Sequence, residues 1–310
     1  MIFLLDSSLI DKAYAKPLAD AIKGICIGQH KVDYTDASVW NFVENEVLTT
    51  SNLGRVDIDM IVSNQGMRDV RNTDRSYLTT LRVGTKPGMI DLSMLSIILN
   101  ECSCVILENS HYEWYPLKAW IGFVKNDKDY KEINTKVSRA IDEKRIKPEH
   151  SGGSGGIANK IRDMKRDTFQ TTVPYKVTTL FDSDKQSLTD ADDHNESLKD
   201  FLRGEGIFFH EWTRREIENY VPLRVYEYAG LVNPGVARPS TLPDDWNFMD
   251  IGEHPYFKGK YKKKKLEKLA QYIDKIATKD AFTSKNYVNP ADNHPVSELQ
   301  HVIFHLAKYI

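Results

Sequence analysis

The amino-acid sequence predicts an α/β fold with a parallel sheet flanked by helices. Short apolar runs alternate with amphipathic segments of helix length between residues 102 and 209. This alternation is typical of βαβ units, whose right-handed crossovers bring all strand C-termini to one edge of the sheet. The run at 102–107 is apolar nearly throughout, as expected of a strand that is covered on both faces.

Length and charge set the broad class of the protein. The 310 residues suffice for one large or two modest domains. An apolar content of 41% beside a net charge of −2 excludes disorder as the overall state. The 42 Lys and Arg residues nearly cancel the 44 Asp and Glu residues, so there is no net basic field. A metal-dependent nuclease can show the same balance, because acids in its site offset a basic channel elsewhere.

Cysteine usage and hydropathy indicate the compartment. Cys26, Cys102 and Cys104 do not make an even disulfide framework and are expected to be free thiols in a reducing environment. The N-terminal apolar run lacks a basic region and ends at Asp6, unlike a secretory signal. No stretch approaches the roughly 18 apolar residues of a membrane-spanning helix. We therefore expect a cytoplasmic protein that does not contact a membrane.

Residues 1–100 are predicted to form an N-terminal α/β region of unknown role. Its predicted elements are strands over 2–5, 30–34 and 56–62 and helices over 11–23 and 90–99. The polar segment 64–82 contains four arginines that could track phosphates, although a solvated loop or exposed helix is the favoured interpretation. These arginines are Arg68, Arg71, Arg75 and Arg82.

Residues 101–225 are predicted to form the core of the protein, and residues 226–310 a C-terminal, partly basic helical region. The core strands are predicted over 102–107, 145–150, 175–181 and 206–209, and the core helices over 114–124, 130–143, 157–166 and 195–203. The C-terminal region has a Pro- and Asp-rich part at 234–255 and predicted helices over 258–277 and 295–310.

Three carboxylates follow two of the predicted core strands. Glu108 comes directly after one strand, and Asp182 and Asp184 follow another, so all three can converge at one edge of the sheet. Clustered carboxylates repel one another unless a divalent cation neutralises them, and their hard oxygens suit Mg²⁺ or Mn²⁺. The alternative is a polar turn, because Asp and Ser are common turn residues.

Four segments in this order carry a more specific pattern. They are Val105-Ile106-Leu107-Glu108, His150-Ser151-Gly152-Gly153, Leu180-Phe181-Asp182-Ser183-Asp184 and Arg214-Arg215-Glu216-Ile217-Glu218-Asn219-Tyr220. Their order and spacing resemble the TOPRIM domain of the overcoming-lysogenization-defect (OLD) nucleases and related prokaryotic antiphage effectors. The resemblance covers about residues 102–225. It implies a TOPRIM-like Rossmannoid sheet, a Mg²⁺-dependent phosphodiester nuclease, and Glu108, Asp182 and Asp184 as metal ligands and catalytic residues.

The chain also departs from that family. Glu113 stands one place later than the family's second acid and is the candidate to replace it as a metal ligand. The fused ATPase of OLD proteins has no counterpart, because the chain lacks a P-loop motif, so an ATPase partner would be a separate chain. These departures leave open a TOPRIM-derived module that binds nucleic acid or an ATPase without cleavage, and a phosphotransferase acting on a small nucleotide. The sequence is also compatible with an oligomer.

Further residues are candidates for the same site. Glu218 could add a metal ligand, while Arg214 or Arg215 could hold the scissile phosphate; a surface ion pair is the alternative. The N–H groups of Gly152 and Gly153 could cradle a phosphate, or these glycines could serve only a tight turn.

Basic residues near the C-terminus are candidate substrate contacts. The resemblance implies a catalytic lysine downstream of the Asp-x-Asp, for which Lys285 is the candidate. Lys262 and Lys263 belong to the basic run 258–265, which suits a nucleic-acid backbone, although a solvated helix start is the alternative. His210, at the end of the fourth core strand, could donate to a leaving oxygen or be a satisfied structural histidine.

Overall fold

The computed structural model describes residues 1–27, 30–33, 36–50, 53–65, 78–166, 176–190, 192–257, 263–276, 282 and 287–310. The chain divides into two compact units. The first unit comprises Met1–Glu101, Pro290–Asn293 and Lys308–Ile310, and the second comprises Cys102–Asn289 and His294–Ala307.

The first unit contains a parallel three-stranded sheet. Its strands are β1 (Ile2–Leu5), β2 (Lys31–Asp33) and β3 (Thr80–Val83), in the order β2-β1-β3. The central strand is the most apolar, and its Ile2 and Phe3 are fully buried. The longer α-helices in the described part of this unit are α1 (Ala15–Ile27), α2 (Ala37–Phe42), α3 (Arg55–Gln65) and α4 (Leu92–Asn100). A π-helical turn at Val43–Val47 and a helical turn at Leu48–Thr50 continue α2, and 3-10 turns lie at Ser7–Leu9 and Lys12–Tyr14.

Two predictions for this unit were wrong. The segment 56–62, predicted as a strand, lies within helix α3. Its alternation does not define a buried face, because Val56 is 80% exposed while Ile61 is fully buried, and Asp57 pairs with Lys23 of α1 at 2.8 Å. Strand β3, which begins at the end of the polar segment 64–82, was missed, although its Leu81 and Val83 are buried. Residues 66–77, with three of the four arginines, lie outside the described residues.

The second unit is built on a parallel four-stranded sheet, which confirms the predicted α/β fold. Its strands are β4 (Ser103–Leu107), β5 (Ile146–His150), β6 (Val177–Phe181) and β7 (Phe208–Glu211), in the order β5-β4-β6-β7. Strands β4 and β6 are buried throughout, as expected of the two interior strands.

The strand order creates a switch point in this sheet. From β4 the chain crosses over to β5 on one side, and β6 then lies on the other side of β4. Open α/β sheets bind ligands at such a point, outside the carboxyl ends of the strands. Leu107 pairs with Leu180, so β4 and β6 end side by side and the residues that follow them emerge together.

Eight α-helices, two 3-10 turns (Asp192–Asn195 and Ile217–Tyr220) and a short hairpin complete the described part of this unit. The helices are α5 (Ser110–Val124), α6 (Lys131–Asp142), α7 (Ser154–Met164), α8 (Glu196–Gly204), α9 (Leu223–Ala229), α10 (Pro243–Asn247), α11 (Lys263–Ile276) and α12 (Glu298–Ala307). The hairpin pairs β8 (Tyr287–Val288) with β9 (Pro295–Val296). Ile157 and Ile161 of α7 and Leu202 of α8 pack with Ile106 and Phe181 of the sheet in one buried cluster.

Most of the region 226–310 belongs to the same unit as the core. Helix α11 packs on α5, and α12 packs on α6 through an apolar stripe that includes the buried Val302 and Phe304. The last residues, Lys308–Ile310, belong to the first unit. Among the described helices, none is long and apolar enough to cross a membrane. Cys26, Cys102 and Cys104 form no disulfide in the structure.

Candidate functional site

Acids from distant parts of the chain meet at the switch point of the second unit. The backbone N–H of Asp182, after β6, donates to Oε1 of Glu108, after β4, over 3.0 Å. Burial raises the pKa of Glu108, and the nearby negative charge of Asp184 raises it further. The predicted convergence of Glu108 with the Asp-x-Asp segment is therefore present in the structure.

Glu113 lies in the first turn of α5 and is only 3% exposed. Its Oε1 accepts a hydrogen bond from the backbone N–H of Asn109, and its Oε2 is buried without a hydrogen-bond partner in the described part of the chain. The buried Oδ1 of Asn109 also lacks a partner there. Burial raises the pKa of Glu113 well above its usual value, and the Glu218 carboxylate adds to this shift. An unpaired buried oxygen is costly unless another group meets it.

Asp182 and Glu218 complete this group, which we name the acidic cluster: Glu108, Glu113, Asp182 and Glu218. Oδ1 of Asp182 accepts a hydrogen bond from the Ile217 backbone N–H over 3.3 Å. Burial raises the pKa of Asp182 well above its usual value, and repulsion from the other three acids adds to it. Glu218 is 8% exposed, and burial raises its pKa to about 7.

Asp184 takes a different position from Asp182. It is exposed, and its backbone has a φ of 55°, in the left-handed region. The carbonyl of Arg215 accepts from the N–H groups of Ser183 (3.1 Å) and Asp184 (3.3 Å), and the Ser183 hydroxyl donates to the Arg214 carbonyl (2.9 Å). This turn leaves Asp182 in the acidic cluster and Asp184 at its open side.

Three further acids near the cluster were missed from the sequence. Burial and the neighbouring Glu218 raise the pKa of Glu216 to about 8, and Asp250 also acts on it. Glu211 ends β7, where Lys199 pairs with it at 2.8 Å. Glu211 was missed because the strand was predicted to end at residue 209. Asp250 was missed because no local pattern in the sequence connects it with Arg215, 35 residues earlier.

The two candidate phosphate-binding arginines are engaged inside the protein. The Arg214 guanidinium donates to the Asn219 carbonyl at 2.6 Å and lies 4.6 Å from the centre of the Tyr220 ring. Arg215 pairs with Asp250 at 3.0 Å and with Glu216 at 3.3 Å. Both side chains therefore make contacts inside the protein, including the ion pairs that were the alternative interpretation, and their contact with a scissile phosphate stays a prediction.

The glycine loop after β5 is accounted for by its turn. Gly152 and Gly153 have φ angles of 79° and 110°, which side-chain-bearing residues rarely adopt. Their N–H groups donate to the Glu108 carbonyl over 3.1 and 3.2 Å, so neither is available to cradle a phosphate here. These bonds connect the loop after β5 to Glu108, the residue that follows β4 and belongs to the acidic cluster.

The remaining candidates lie in other places. His210 is buried and its Nε2 bonds to Glu298 at 2.9 Å, as expected for a satisfied structural histidine. Lys262 and Lys285 lie outside the described residues, and Lys263 is the first residue of α11, with its side chain outside the described part.

The donor chemistry of the acidic cluster fits Mg²⁺ or Mn²⁺. All four side chains offer hard carboxylate oxygens, and the orphaned Oε2 of Glu113 has the character of an unused ligand atom. Within the described ranges, no three His, Cys, Asp or Glu side chains already stand in an arrangement that could hold a metal ion. Without a cation, the negatively charged carboxylates repel one another, and this repulsion keeps their oxygens apart. Binding of an ion therefore requires these side chains to move closer together.

Comparison with protein-family models, with curated proteins and with solved structures finds no match to this chain.

Proposed function

We propose that this protein is a metal-dependent nuclease with a TOPRIM-like core, which hydrolyses phosphodiester bonds of DNA or RNA. The observation that carries the proposal is the meeting of four acids from separate segments at the switch point of a parallel sheet, one of them with a buried oxygen that has no hydrogen-bond partner among the described residues. Burial raises the pKa values of all four acids, and repulsion from neighbouring acids raises those of Glu108, Glu113 and Asp182 further; such shifts are typical of functional sites. The resemblance to the OLD-like nucleases adds the reaction class.

Each acid has a role in this proposal. Glu108, Glu113, Asp182 and Glu218 hold one or two Mg²⁺ or Mn²⁺ ions, and Asp184 joins them from the exposed side. The ion, when bound, neutralises charge and activates water as a Lewis acid. Because Asp184 is exposed whereas Glu113 and Glu218 are buried, the phosphodiester approaches from the Asp184 side. With Arg214 and Arg215 engaged internally, Lys285 remains the proposed cation that stabilises the charged phosphorane-like transition state.

A cleavage assay tests the proposal. Purified protein is incubated with duplex DNA, single-stranded DNA and structured RNA in Mg²⁺, in Mn²⁺ and in EDTA. We expect ion-dependent cleavage of at least one substrate by the wild type and none by the folded Asp182→Asn and Glu108→Gln variants. Cleavage that persists in EDTA, or in both variants, would overturn the proposal.

A second candidate is a nucleic-acid or ATPase-binding module that does not cleave. It is favoured by the finding that the described residues hold no ready-made metal-ligand group. This candidate predicts that the wild type retains the same nucleic acid in a mobility-shift assay with and without divalent ions, while no substrate is cut.

The proposed cellular role is that of an effector of a prokaryotic phage-defence system, working with a separate ATPase chain. This role follows from the resemblance alone. We expect expression of the wild-type chain with its genomic neighbours to reduce phage plating, and the Asp182→Asn variant to restore it. If phage plate equally well on cells that express the wild type and on cells that express Asp182→Asn, the defence role is wrong. The nuclease proposal would then still be decided by the cleavage assay.

A further inference from the structure

A buried carboxylate of helix α12 bonds to the segment that carries part of the acidic cluster. Glu298 begins α12 and is only 1% exposed. Its Oε1 accepts hydrogen bonds from Nε2 of His210 (2.9 Å) and from the N–H and hydroxyl of Thr213 (both 2.8 Å). Its Oε2 accepts from the Tyr220 hydroxyl. Each partner is at least 78 residues from Glu298 in sequence, so only the tertiary fold brings them to this carboxylate.

These bonds fasten both ends of one loop. The loop 213–220 carries Glu216 and Glu218; it begins at Thr213 and ends at Tyr220. The Tyr220 hydroxyl also accepts from the Arg214 N–H over 3.1 Å, which ties the loop ends to each other. A carboxylate that holds both ends restricts the loop far more than a bond at one end would.

The same loop supports the Asp-x-Asp turn. The carbonyls of Arg214 and Arg215 hold Ser183 and Asp184, and the Ile217 N–H meets the Asp182 carboxylate. The positions of Asp182, Asp184 and Glu218 therefore all depend on a loop whose two ends bond to Glu298.

We infer that Glu298 is the positioning residue of the acidic cluster: it acts through the loop 213–220 to place Asp182, Asp184 and Glu218 for a divalent cation. The inference rests on the proposed ion-binding function of that cluster. A merely structural role for Glu298 would affect stability and leave ion affinity unchanged.

The charge of Glu298 suits this role. Burial opposes ionisation, but the hydrogen bond and charge of His210 outweigh it, so the pKa of Glu298 lies below its usual value. Glu298→Gln keeps the size of the side chain while replacing an oxygen acceptor with an NH₂ donor. The variant therefore weakens the restraint without opening a cavity.

Helix α12 also supplies a matched control. Gln300, 6% exposed, donates to Oδ1 of the buried Asn134 on α6 over 2.9 Å and makes no described hydrogen bond to the loop 213–220. Gln300→Ala removes a buried hydrogen bond from the same helix that involves α6 and not the loop 213–220. It therefore reports what the loss of a buried contact on α12 does by itself.

The test measures Mn²⁺ affinity by calorimetry and amide hydrogen exchange without the ion. We expect Glu298→Gln to weaken Mn²⁺ binding by roughly 10-fold, the lower end of what the loss of a direct partner of a ligand causes, because Glu298 acts through the loop; Gln300→Ala should leave the affinity unchanged. The amides of Ser183 and Asp184 should exchange faster in Glu298→Gln only. If Glu298→Gln does not fold, Tyr220→Phe and Thr213→Val each remove one donor and should show the same two changes in smaller measure.

The outcomes separate the two proposals. A folded Glu298→Gln variant with wild-type Mn²⁺ affinity, or with unchanged exchange at Ser183 and Asp184, overturns the positioning role. A wild type that binds no Mn²⁺ overturns the proposed function, and the exchange measurement then still decides whether Glu298 orders the turn.

Discussion

The backbone N–H of Asp182 lies 3.0 Å from Oε1 of Glu108 and donates a hydrogen bond to it. The two residues are 74 positions apart in sequence, and each directly follows an interior strand of the same sheet. The bond fixes the Asp182 backbone beside the Glu108 carboxylate, although the two side chains repel each other. This backbone hydrogen bond thus keeps Asp182 and Glu108 together although their carboxylates repel each other. Several variants can test the balance between the two effects.

Neutralising Asp182 should raise stability and remove ion binding. Asp182→Asn keeps the backbone bond to Glu108 but relieves the repulsion, so we expect the ion-free protein to gain on the order of 2 kcal/mol at pH 8. Thermal unfolding with and without Mn²⁺ should show a stabilising shift by the ion in the wild type only. The control is Asp200→Asn, on an exposed part of α8, which should behave as wild type. A large Mn²⁺ shift that survives in Asp182→Asn would contradict this account.

The pH dependence of stability should reflect the buried acids. The pKa values of Glu218 and Glu216 are raised to about 7 and about 8, from 4.5. Between pH 4.5 and 8 the folded protein therefore holds more protons at these groups than the unfolded chain, so stability falls as pH rises. We expect urea unfolding to give a lower free energy at pH 8 than at pH 5 without divalent ions, and Mn²⁺ to reverse much of that loss. A free energy that rises from pH 5 to pH 8 without the ion would count against the burial of these acids.

Removing the Arg215 charge should destabilise the protein in a pH-dependent way. Arg215 lies between Glu216 and Asp250, so Arg215→Met leaves these acids without their common partner. We expect a loss of about 2 kcal/mol at pH 9, where Glu216 is largely ionised, and a smaller loss at pH 5, where it is protonated. Arg238→Met provides the comparison, because Arg238 is 57% exposed in its pair with Glu227 and should cost less than about 1 kcal/mol. Equal losses at both pH values would mean that Arg215 does not act through Glu216.

Two neighbouring glycines of α7 should respond oppositely to alanine. A Cβ at Gly156 would overlap the Ser151 carbonyl of the glycine loop, whereas a Cβ at Gly155 would meet nothing within 4 Å. We expect Gly156→Ala to lose on the order of 2 kcal/mol and Gly155→Ala to be neutral or stabilising by up to about 1 kcal/mol, since alanine favours a helix. Chemical unfolding of both variants measures the difference. A tolerated Gly156→Ala would show that the loop does not pack against α7 as described.

The second unit was predictable because its sequence carries strong periodic signals. Strands β4 and β6 are continuous buried runs, and each is followed directly by an acid, so their convergence follows from the rules for parallel sheets. The helix α3 was mistaken for a strand because alternating Val, Asp and Ile residues imitate a half-buried strand. Ile61 is buried and Val56 is exposed because of tertiary packing, which cannot be inferred from the neighbouring residues in the sequence.

The supporting contacts of the site were not predictable. Glu298, Asp250 and the internal bonds of Arg214 and Arg215 depend on contacts between segments that are distant in sequence. The glycine turn had two interpretations in the sequence, and only the hydrogen bonds to the Glu108 carbonyl distinguish them. Candidate ligands at strand ends are therefore readable from sequence, whereas the residues that hold them in place require the fold.

The most direct test of the central claim is a crystal structure soaked in Mn²⁺, with anomalous scattering used to locate the ion. We expect a manganese peak at the carboxyl edge of β4 and β6, within about 2.5 Å of carboxylate oxygens from both Glu108 and Asp182. A well-ordered crystal with no peak at that edge, or with manganese bound only elsewhere, would contradict it.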